Sequence, residues 1–118
     1  MAFASSGDSP LLALEPGIRV LNRLHRDPST GRLTSSIGTK ENVLISSGIL
    51  DLEEKTTIIA CTDGLTDMVD FNSIEKTCAS FHGELKALGS ELVRRAYENG
   101  GKDNVSMIVA RCSMIKIY

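Results

Sequence analysis

Two acidic dipeptides flank predicted strands, and their side chains are the ones best suited to chemistry. Asp63-Gly64 directly follows the most apolar strand, and Asp103-Asn104 directly precedes the last one. In an antiparallel or mixed sheet, one strand ends beside the start of its neighbour, about 5 Å away per strand step. We therefore expect Asp63 and Asp103 to converge, with Gly64 allowing a tight turn beside them. Paired carboxylates suit hard cations such as Mg²⁺ or Mn²⁺.

Either dipeptide could instead be an ordinary turn, because Asp, Asn and Gly are common turn residues. The cysteines and histidines offer no competing site. Cys61, Cys78 and Cys112 form no Cys-x-x-Cys pair, and His25 and His82 are too far apart for a local metal-ligand pair. We expect the cysteines to be small buried residues. The histidines are expected in a loop and at a helix end.

The composition predicts one ordinary globular unit. With 118 residues, 42% of them hydrophobic and 24% charged, the chain is one small domain or part of one. The net charge of -2 gives no overall basic field, so we expect neither a nucleic-acid nor a membrane partner. The apolar runs are far shorter than the roughly 20 residues that span a bilayer. Without a secretory signal at the start, the expected location is cytoplasmic.

The first half of the chain is predicted to consist of strands, turns and one long loop. The first two strands, around the turn Gly7-Asp8-Ser9-Pro10, should form a hairpin. The strand at residues 56–61 is the most apolar and should therefore be the most central. The other predicted strands start at Ala2, cover Leu11 to Leu14, alternate through Ile18 and Val20, and include Val43 and Ile45, with a surface loop at residues 25–38.

The second half changes to a helical period. Two short helices are expected, the second capped by Asn72 or Ser73, followed by a longer amphipathic helix over residues 85–97 that Asn99-Gly100-Gly101 ends. The last strand, at residues 105–112, is apolar at most positions and is predicted to be buried on both faces. Strands followed by helices and a final strand indicate an α+β fold.

These segments together resemble the metal-dependent PPM-type serine/threonine protein phosphatases, the type 2C family. Residues 58–67 are similar to its apolar strand running into Ser/Thr-Asp-Gly-Leu-x-Asp, and residues 101–109 to its terminal Asp-Asn-Val-Thr strand. Gly7-Asp8-Ser9 resembles its Gly-Asp-Ser turn. Residues 33–38 resemble its Leu-Thr-Arg-x-Leu-Gly segment, with Ser35 in place of the arginine. All of these motifs occur in the family's order.

The resemblance implies part of a β-sandwich flanked by helices, in α-β-β-α layers with mostly antiparallel strands. It also implies two or three Mg²⁺ or Mn²⁺ ions in the complete domain. A metal-bridged hydroxide would hydrolyse phosphoserine or phosphothreonine in a protein substrate, with no catalytic side chain forming a phosphoenzyme.

Specific residues receive roles from the same resemblance. Asp63 and Asp103 would be ligands of the core metal pair, and Asn104 would steady the Asp103 loop. Asp8 and Asp67, together with Asp63, would serve a weaker additional metal position. Asp67 could equally be a solvated acid in the first turn of a helix, and a solvated role is also open for Asp8.

Half of the family's pattern is missing. The family's domain is roughly twice as long, and its first half carries an acidic ligand motif and an Asp-Gly-x-Gly motif that do not occur here. Residues 1–118 are therefore expected to be the C-terminal half of a phosphatase domain, with the N-terminal half absent. This half should be inactive alone.

Two alternative functions remain. The chain could be a non-catalytic, truncated or pseudo-phosphatase module that binds a partner chain. Uncovered sheet faces would favour self-association or binding of a chain that supplies the missing half. A haloacid dehalogenase-type enzyme is the other alternative, but it needs a carboxylate nucleophile where this sequence has Cys61.

Overall fold

The computed structural model describes residues 1–39 and 41–113 and shows an α+β fold with two antiparallel sheets. This confirms the predicted fold class and strand orientation. The elements of the described residues are β1 (Ala2–Ser5), β2 (Leu11–Leu14), β3 (Ile18–Val20), β4 (Ser46–Ile49), β5 (Thr57–Cys61), α1 (Asp63–Thr66), α2 (Phe71–Ser80), α3 (Leu85–Glu98) and β6 (Met107–Arg111).

The larger sheet has the strand order β3-β2-β5-β6, with antiparallel neighbours throughout. Strand β5 pairs along both of its sides, as expected for the most apolar strand. The register places Leu11 opposite Ala60 and Cys61 opposite Met107. Strands β2 and β6 therefore begin where β5 ends. The turn before β2, the residues after β5 and the loop before β6 consequently share one edge of the sheet.

The smaller sheet pairs β1 with β4, so the predicted hairpin of the first two strands is wrong. Strand β2 forms its hairpin with β3 instead. The predicted position of the fourth strand is also wrong, because the strand starts at Ser46, after the predicted residues Val43 and Ile45. Gly48 favours the observed pairing, since a Cβ there would lie 2.7 Å from Cζ of Phe3 on the neighbouring strand. The ring of Phe3 thus lies over a strand position that has no side chain.

Helices cover one face of the larger sheet and form the core with it. The predicted long helix is confirmed as α3, and the Gly100 and Gly101 residues that follow it have positive φ. The cap of α2 was predicted wrongly, because Asp70 accepts a hydrogen bond from Ser73 N–H at 2.8 Å. The buried core residues are Leu12, Ile59, Cys61, Leu65, Val69, Ile74, Cys78, Leu88, Leu92 and Ala96.

The last strand is buried on one face only, so the prediction that both faces are buried is wrong. Met107 and Val109 pack against the core, whereas Ile108 is 71% exposed. The physical reason is position, because β6 lies at the edge of its sheet and the helices cover only one face. No helix in the described part of the chain is long and apolar enough to cross a membrane.

Candidate functional site

The ends of β5 and β6 are joined by Thr62, and the two acidic dipeptides flank this junction. The Thr62 N–H donates to the Ser106 carbonyl oxygen at 3.0 Å. The Thr62 hydroxyl donates to the Asn104 carbonyl oxygen at 3.2 Å and accepts from the Ser106 N–H at 3.1 Å. Asp63 and Asp103 are therefore brought to the same edge of the sheet by backbone pairing.

Gly64 makes a close approach possible at this junction. Its backbone is helical, within α1, so it does not make the tight turn expected from the sequence. A Cβ on Gly64 would lie 2.2 Å from the Asn104 carbonyl oxygen. The loop before β6 therefore packs directly on the first turn of α1. The Asn104 N–H also donates to Oδ1 of Asp103 at 2.7 Å, so the Asn104 backbone helps to hold that loop.

Asp8 lies in the turn before β2, and His25 holds that turn. The Gly7 N–H donates to Nδ1 of His25 at 3.1 Å, and the His25 N–H donates to the Gly7 carbonyl oxygen at 2.8 Å. His25 is only 5% exposed, although it lies in a segment predicted to be a surface loop. No spacing in the sequence indicated this role.

Asn22 supports the same turn from the other side. Its Oδ1 accepts from the Leu11 N–H at 2.7 Å, and its Nδ2 donates to the Ser9 carbonyl oxygen at 3.0 Å. Nδ2 also donates to Oγ of Ser5 at 2.9 Å, which joins β1 to the turn. A single buried amide thus fixes the path of the chain between the two sheets, and the sequence pattern did not identify it.

Arg26 is the main residue of this edge that the sequence did not indicate. Its guanidinium makes a two-pronged contact with Asp67, with NH1 at 3.1 Å from Oδ1 and NH2 at 3.2 Å from Oδ2. NH2 lies 3.8 Å from Oδ2 of Asp63, and Nε lies 4.0 Å from Oδ2 of Asp8. We call Asp8, Asp63 and Asp67 the acidic cluster. The alternative prediction, that Asp67 is an acid in the first turn of a helix, is wrong, because Asp67 is the C-cap of α1.

Burial and neighbouring negative charge both act on Asp63. Burial raises the pKa of Asp63 most, followed by Asp8 and Asp67, while Arg26 opposes the rise in part. Asp103 also raises this pKa, but it is the smallest of these contributions. Pairing with Asp67 in turn raises the pKa of Arg26. The acidic cluster and Arg26 thus form one electrostatic unit, to which Asp103 adds only a small contribution.

The residues of this edge fit a divalent ion in part. Carboxylate oxygens are the donors that Mg²⁺ and Mn²⁺ prefer. Within residues 1–39 and 41–113, however, no three His, Cys, Asp or Glu side chains are grouped closely enough to hold a metal ion. The carboxylates of the acidic cluster are arranged around the Arg26 guanidinium. Asp63 and Asp103 can contribute to a ligand set, but they do not complete one.

Cys61 does not offer a nucleophile at this edge. It is 5% exposed, and burial raises the pKa of its thiol to about 11. A buried, protonated thiol is a poor nucleophile. The structure therefore gives no support to a haloacid dehalogenase-type reaction at this position.

The fold is that of PPM-type serine/threonine phosphatases, as the sequence motifs implied. No protein-family model matches the sequence, and no curated protein matches it significantly. The likeness is carried by solved structures, and the chain spans about half the length of the phosphatases that it matches.

Three of these structures illustrate the likeness. The serine/threonine phosphatase of S. agalactiae superposes with a TM-score of 0.84 and 24% identity, covering 92% of this chain and 52% of that one. A mutant of a bacterial serine phosphatase superposes with a TM-score of 0.78 and 29% identity, covering 93% of this chain and 47% of that one. The PPM Ser-Thr phosphatase MsPP from Mycobacterium smegmatis, in complex with cacodylate, has a TM-score of 0.79 and 21% identity. The match covers 92% of this chain and 54% of that one.

Proposed function

We propose that residues 1–118 are the C-terminal half of a PPM-type phosphatase domain, which hydrolyses phosphoserine and phosphothreonine in proteins. The observation that carries this proposal is that Asp63 follows β5 and Asp103 precedes β6 at the same edge of the sheet, where Thr62 bonds to the Asn104 carbonyl oxygen and the Ser106 N–H. The phosphatase fold supports it independently, with coverage of about half of each matched chain.

In this proposal Asp63 and Asp103 hold Mg²⁺ or Mn²⁺ of the core pair. When bound, such ions activate water and neutralise charge on the phosphoryl oxygens. The residues of this chain position the ligands. Thr62 fixes the distance between the two strand ends, and the Asn104 N–H orients the Asp103 carboxylate. His25 holds the turn that carries Asp8.

The incomplete ligand set means that this half is inactive alone. The missing half would supply the remaining ligands and groups that bind the substrate phosphate. The cytoplasm remains the location that we propose.

Metal titration tests the site assignment directly. Isothermal calorimetry with Mn²⁺ on the 118-residue chain should show weak binding that either Asp63→Asn or Asp103→Asn abolishes, since both carboxylates serve the same site. Asp51→Asn is the matched control, because it removes the same charge from the loop before β5, away from this edge. Equal binding by the wild type and the Asp63→Asn/Asp103→Asn double variant would refute the assignment.

A second candidate function is a non-catalytic module that binds a partner chain or a second copy of itself. Exposed apolar side chains favour it, because Ile108 on β6 is 71% exposed and Ile49 on β4 is 84% exposed. β6 also lies at a sheet edge, where unpaired backbone groups invite another strand. The two candidates are compatible if the partner is the missing half.

Light scattering coupled to size exclusion tests this candidate at several concentrations. We expect a dimer or larger species, and Ile108→Lys should shift the population toward monomer, because a charged side chain opposes apolar association at that face. A concentration-independent 12.7 kDa monomer with cooperative unfolding would contradict it.

A further inference from the structure

The Arg26 guanidinium is held in place by its own loop as well as by the carboxylates it contacts. Its Nε donates to the Gly31 carbonyl oxygen at 2.8 Å. A bridge between Arg26 and Leu33 fixes the backbone on the other side of that loop. The side chain is therefore aimed at the acidic cluster by bonds that do not involve the cluster itself.

The loop that aims Arg26 is a tight turn organised by Asp27. Oδ1 of Asp27 accepts from the Ser29 N–H at 2.8 Å, the Ser29 hydroxyl at 2.6 Å and the Thr30 N–H at 3.0 Å. The Gly31 N–H donates to the Asp27 carbonyl oxygen at 2.8 Å, and Gly31 has a φ of 67°. These bonds place the Gly31 carbonyl where Nε of Arg26 can reach it.

The charges at this edge do not cancel. One guanidinium faces the three carboxylates of the acidic cluster, and Asp103 adds a further negative charge nearby. The closest pairing is with Asp67, whereas Asp63 and Asp8 lie at 3.8 and 4.0 Å. Negative charge therefore remains in excess on the side of Asp63 and Asp103.

A groove of about 730 Å³ lies beside Arg26 and is lined by Arg23, His25, Asp27, Thr34 and Ser46, among others. The Arg26 side chain is 32% exposed, and Arg23 lines the same groove.

From this geometry we propose that Arg26 is an internal cation that fills the position formed by Asp8, Asp63 and Asp67 and excludes a divalent ion from it. The core position at Asp63 and Asp103 stays open, because the excess negative charge lies there. This inference rests on the proposed metal site. It adds that the additional position implied by the family resemblance is taken by a side chain of this chain.

Mn²⁺ binding to the whole 118-residue chain tests the proposal, with free Mn²⁺ measured by electron paramagnetic resonance. Arg26→Gln should bind Mn²⁺ at the acidic cluster at least about tenfold more tightly than the wild type does there, because the positive charge that occupies the position has been removed. Adding Asp67→Asn to Arg26→Gln should remove that gain. Arg23→Gln is the control, since it removes the same charge from the same groove.

A second variant keeps Arg26 and loosens its support. Asp27→Ala removes the bonds that shape the turn and should give a smaller gain in Mn²⁺ binding, because the guanidinium is less firmly held. Circular dichroism checks that each variant is folded. If Arg26→Gln does not fold, Asp27→Ala decides, and unchanged binding in that variant overturns the proposal.

The outcomes separate this inference from the proposed function. If Arg26→Gln binds Mn²⁺ as the wild type does, or gains no more than Arg23→Gln, the role of Arg26 is refuted while binding through Asp63 and Asp103 stands. A gain that persists after Asp67→Asn also refutes it. If no folded variant binds Mn²⁺, both the inference and the metal site are wrong.

Discussion

The acidic edge has two sides that position carboxylates in different ways. On the strand side, Asp63 and Asp103 are set by the paired ends of β5 and β6 and by the Thr62 hydroxyl. On the loop side, Asp8 and Asp67 are gathered around Arg26, which a turn holds in place. Arg26 pairs directly with Asp67 on the loop side, whereas on the strand side it lies 3.8 Å from Asp63 and neutralises that charge only in part. Residues of one type at one edge of the sheet can therefore have different roles.

The two sides also differ in how tightly they are packed. On the strand side, a Cβ at Gly64 would overlap the Asn104 carbonyl, and Thr62 bonds to two backbone groups. On the loop side, Asp67 is 46% exposed and Arg26 is 32% exposed. We therefore expect strand-side substitutions to change stability more than loop-side substitutions do.

The largest effect should come from Gly64→Ala on the strand side. The added Cβ would lie 2.2 Å from the Asn104 carbonyl oxygen, a backbone atom that accepts a hydrogen bond from the Thr62 hydroxyl. We expect the free energy of unfolding in urea to fall by about 2–3 kcal/mol, in the range measured for overpacked cores.

Gly89→Ala is the control for that substitution. Gly89 lies in α3, and a Cβ there would meet Sδ of Met107 at 3.7 Å, which is ordinary contact. Replacing a helical glycine by alanine should stabilise the chain by up to about 1 kcal/mol. If Gly64→Ala were tolerated as well as Gly89→Ala, the tight packing on the strand side would be disproved.

An intermediate effect is expected for Thr62→Val. Valine keeps the shape of the side chain but cannot bond to the Asn104 carbonyl or the Ser106 N–H, so unfolding should become easier by about 1 kcal/mol. Thr66→Val is the comparison, because the Thr66 hydroxyl makes one long bond, 3.5 Å, to the Asp63 carbonyl oxygen. Equal losses in the two variants would remove the special role of Thr62.

The smallest effect concerns the pH dependence of Asp63. Burial and the carboxylates of Asp8 and Asp67 raise the pKa of Asp63 above its ordinary value of 3.8, so its ionisation costs the folded state stability. That cost appears as the pH rises from about the ordinary value through the raised one. Asp63→Asn should therefore raise the melting temperature at pH 7 by about 1–3 °C, since partly exposed charges are screened.

The sign of this difference is the decisive measurement. Thermal melts followed by circular dichroism from pH 7 down to pH 3 should show the advantage of Asp63→Asn shrinking as the wild-type carboxyl becomes protonated. A variant less stable than the wild type at pH 7 would mean that Arg26 more than offsets the repulsion at Asp63.

Much of the fold followed from local patterns. The apolar run of β5, the helical spacing of α3 and the Gly100-Gly101 stop each reflect forces within a few residues, and the structure has all three. The partners of β1 and β2 could not be predicted this way. Pairing depends on contacts such as Phe3 over Gly48, which lie far apart in sequence.

The residues of the candidate site also divide into those that the local sequence predicts and those that it does not. The sequence by itself determined that Asp63 follows the central strand and that Asp103 precedes the last one, because strand propensity and turn residues are local properties. The last strand starts at Met107, later than predicted, so Asp103 lies in the loop before it. Only the tertiary structure decided that Arg26 stands among Asp8, Asp63 and Asp67, and that His25 and Asn22 hold the turn carrying Asp8. Those positions depend on where a long loop folds back onto the sheet edge. Hydrophobic periodicity in the sequence does not predict such a contact, because its energy comes from charges and hydrogen bonds between distant segments.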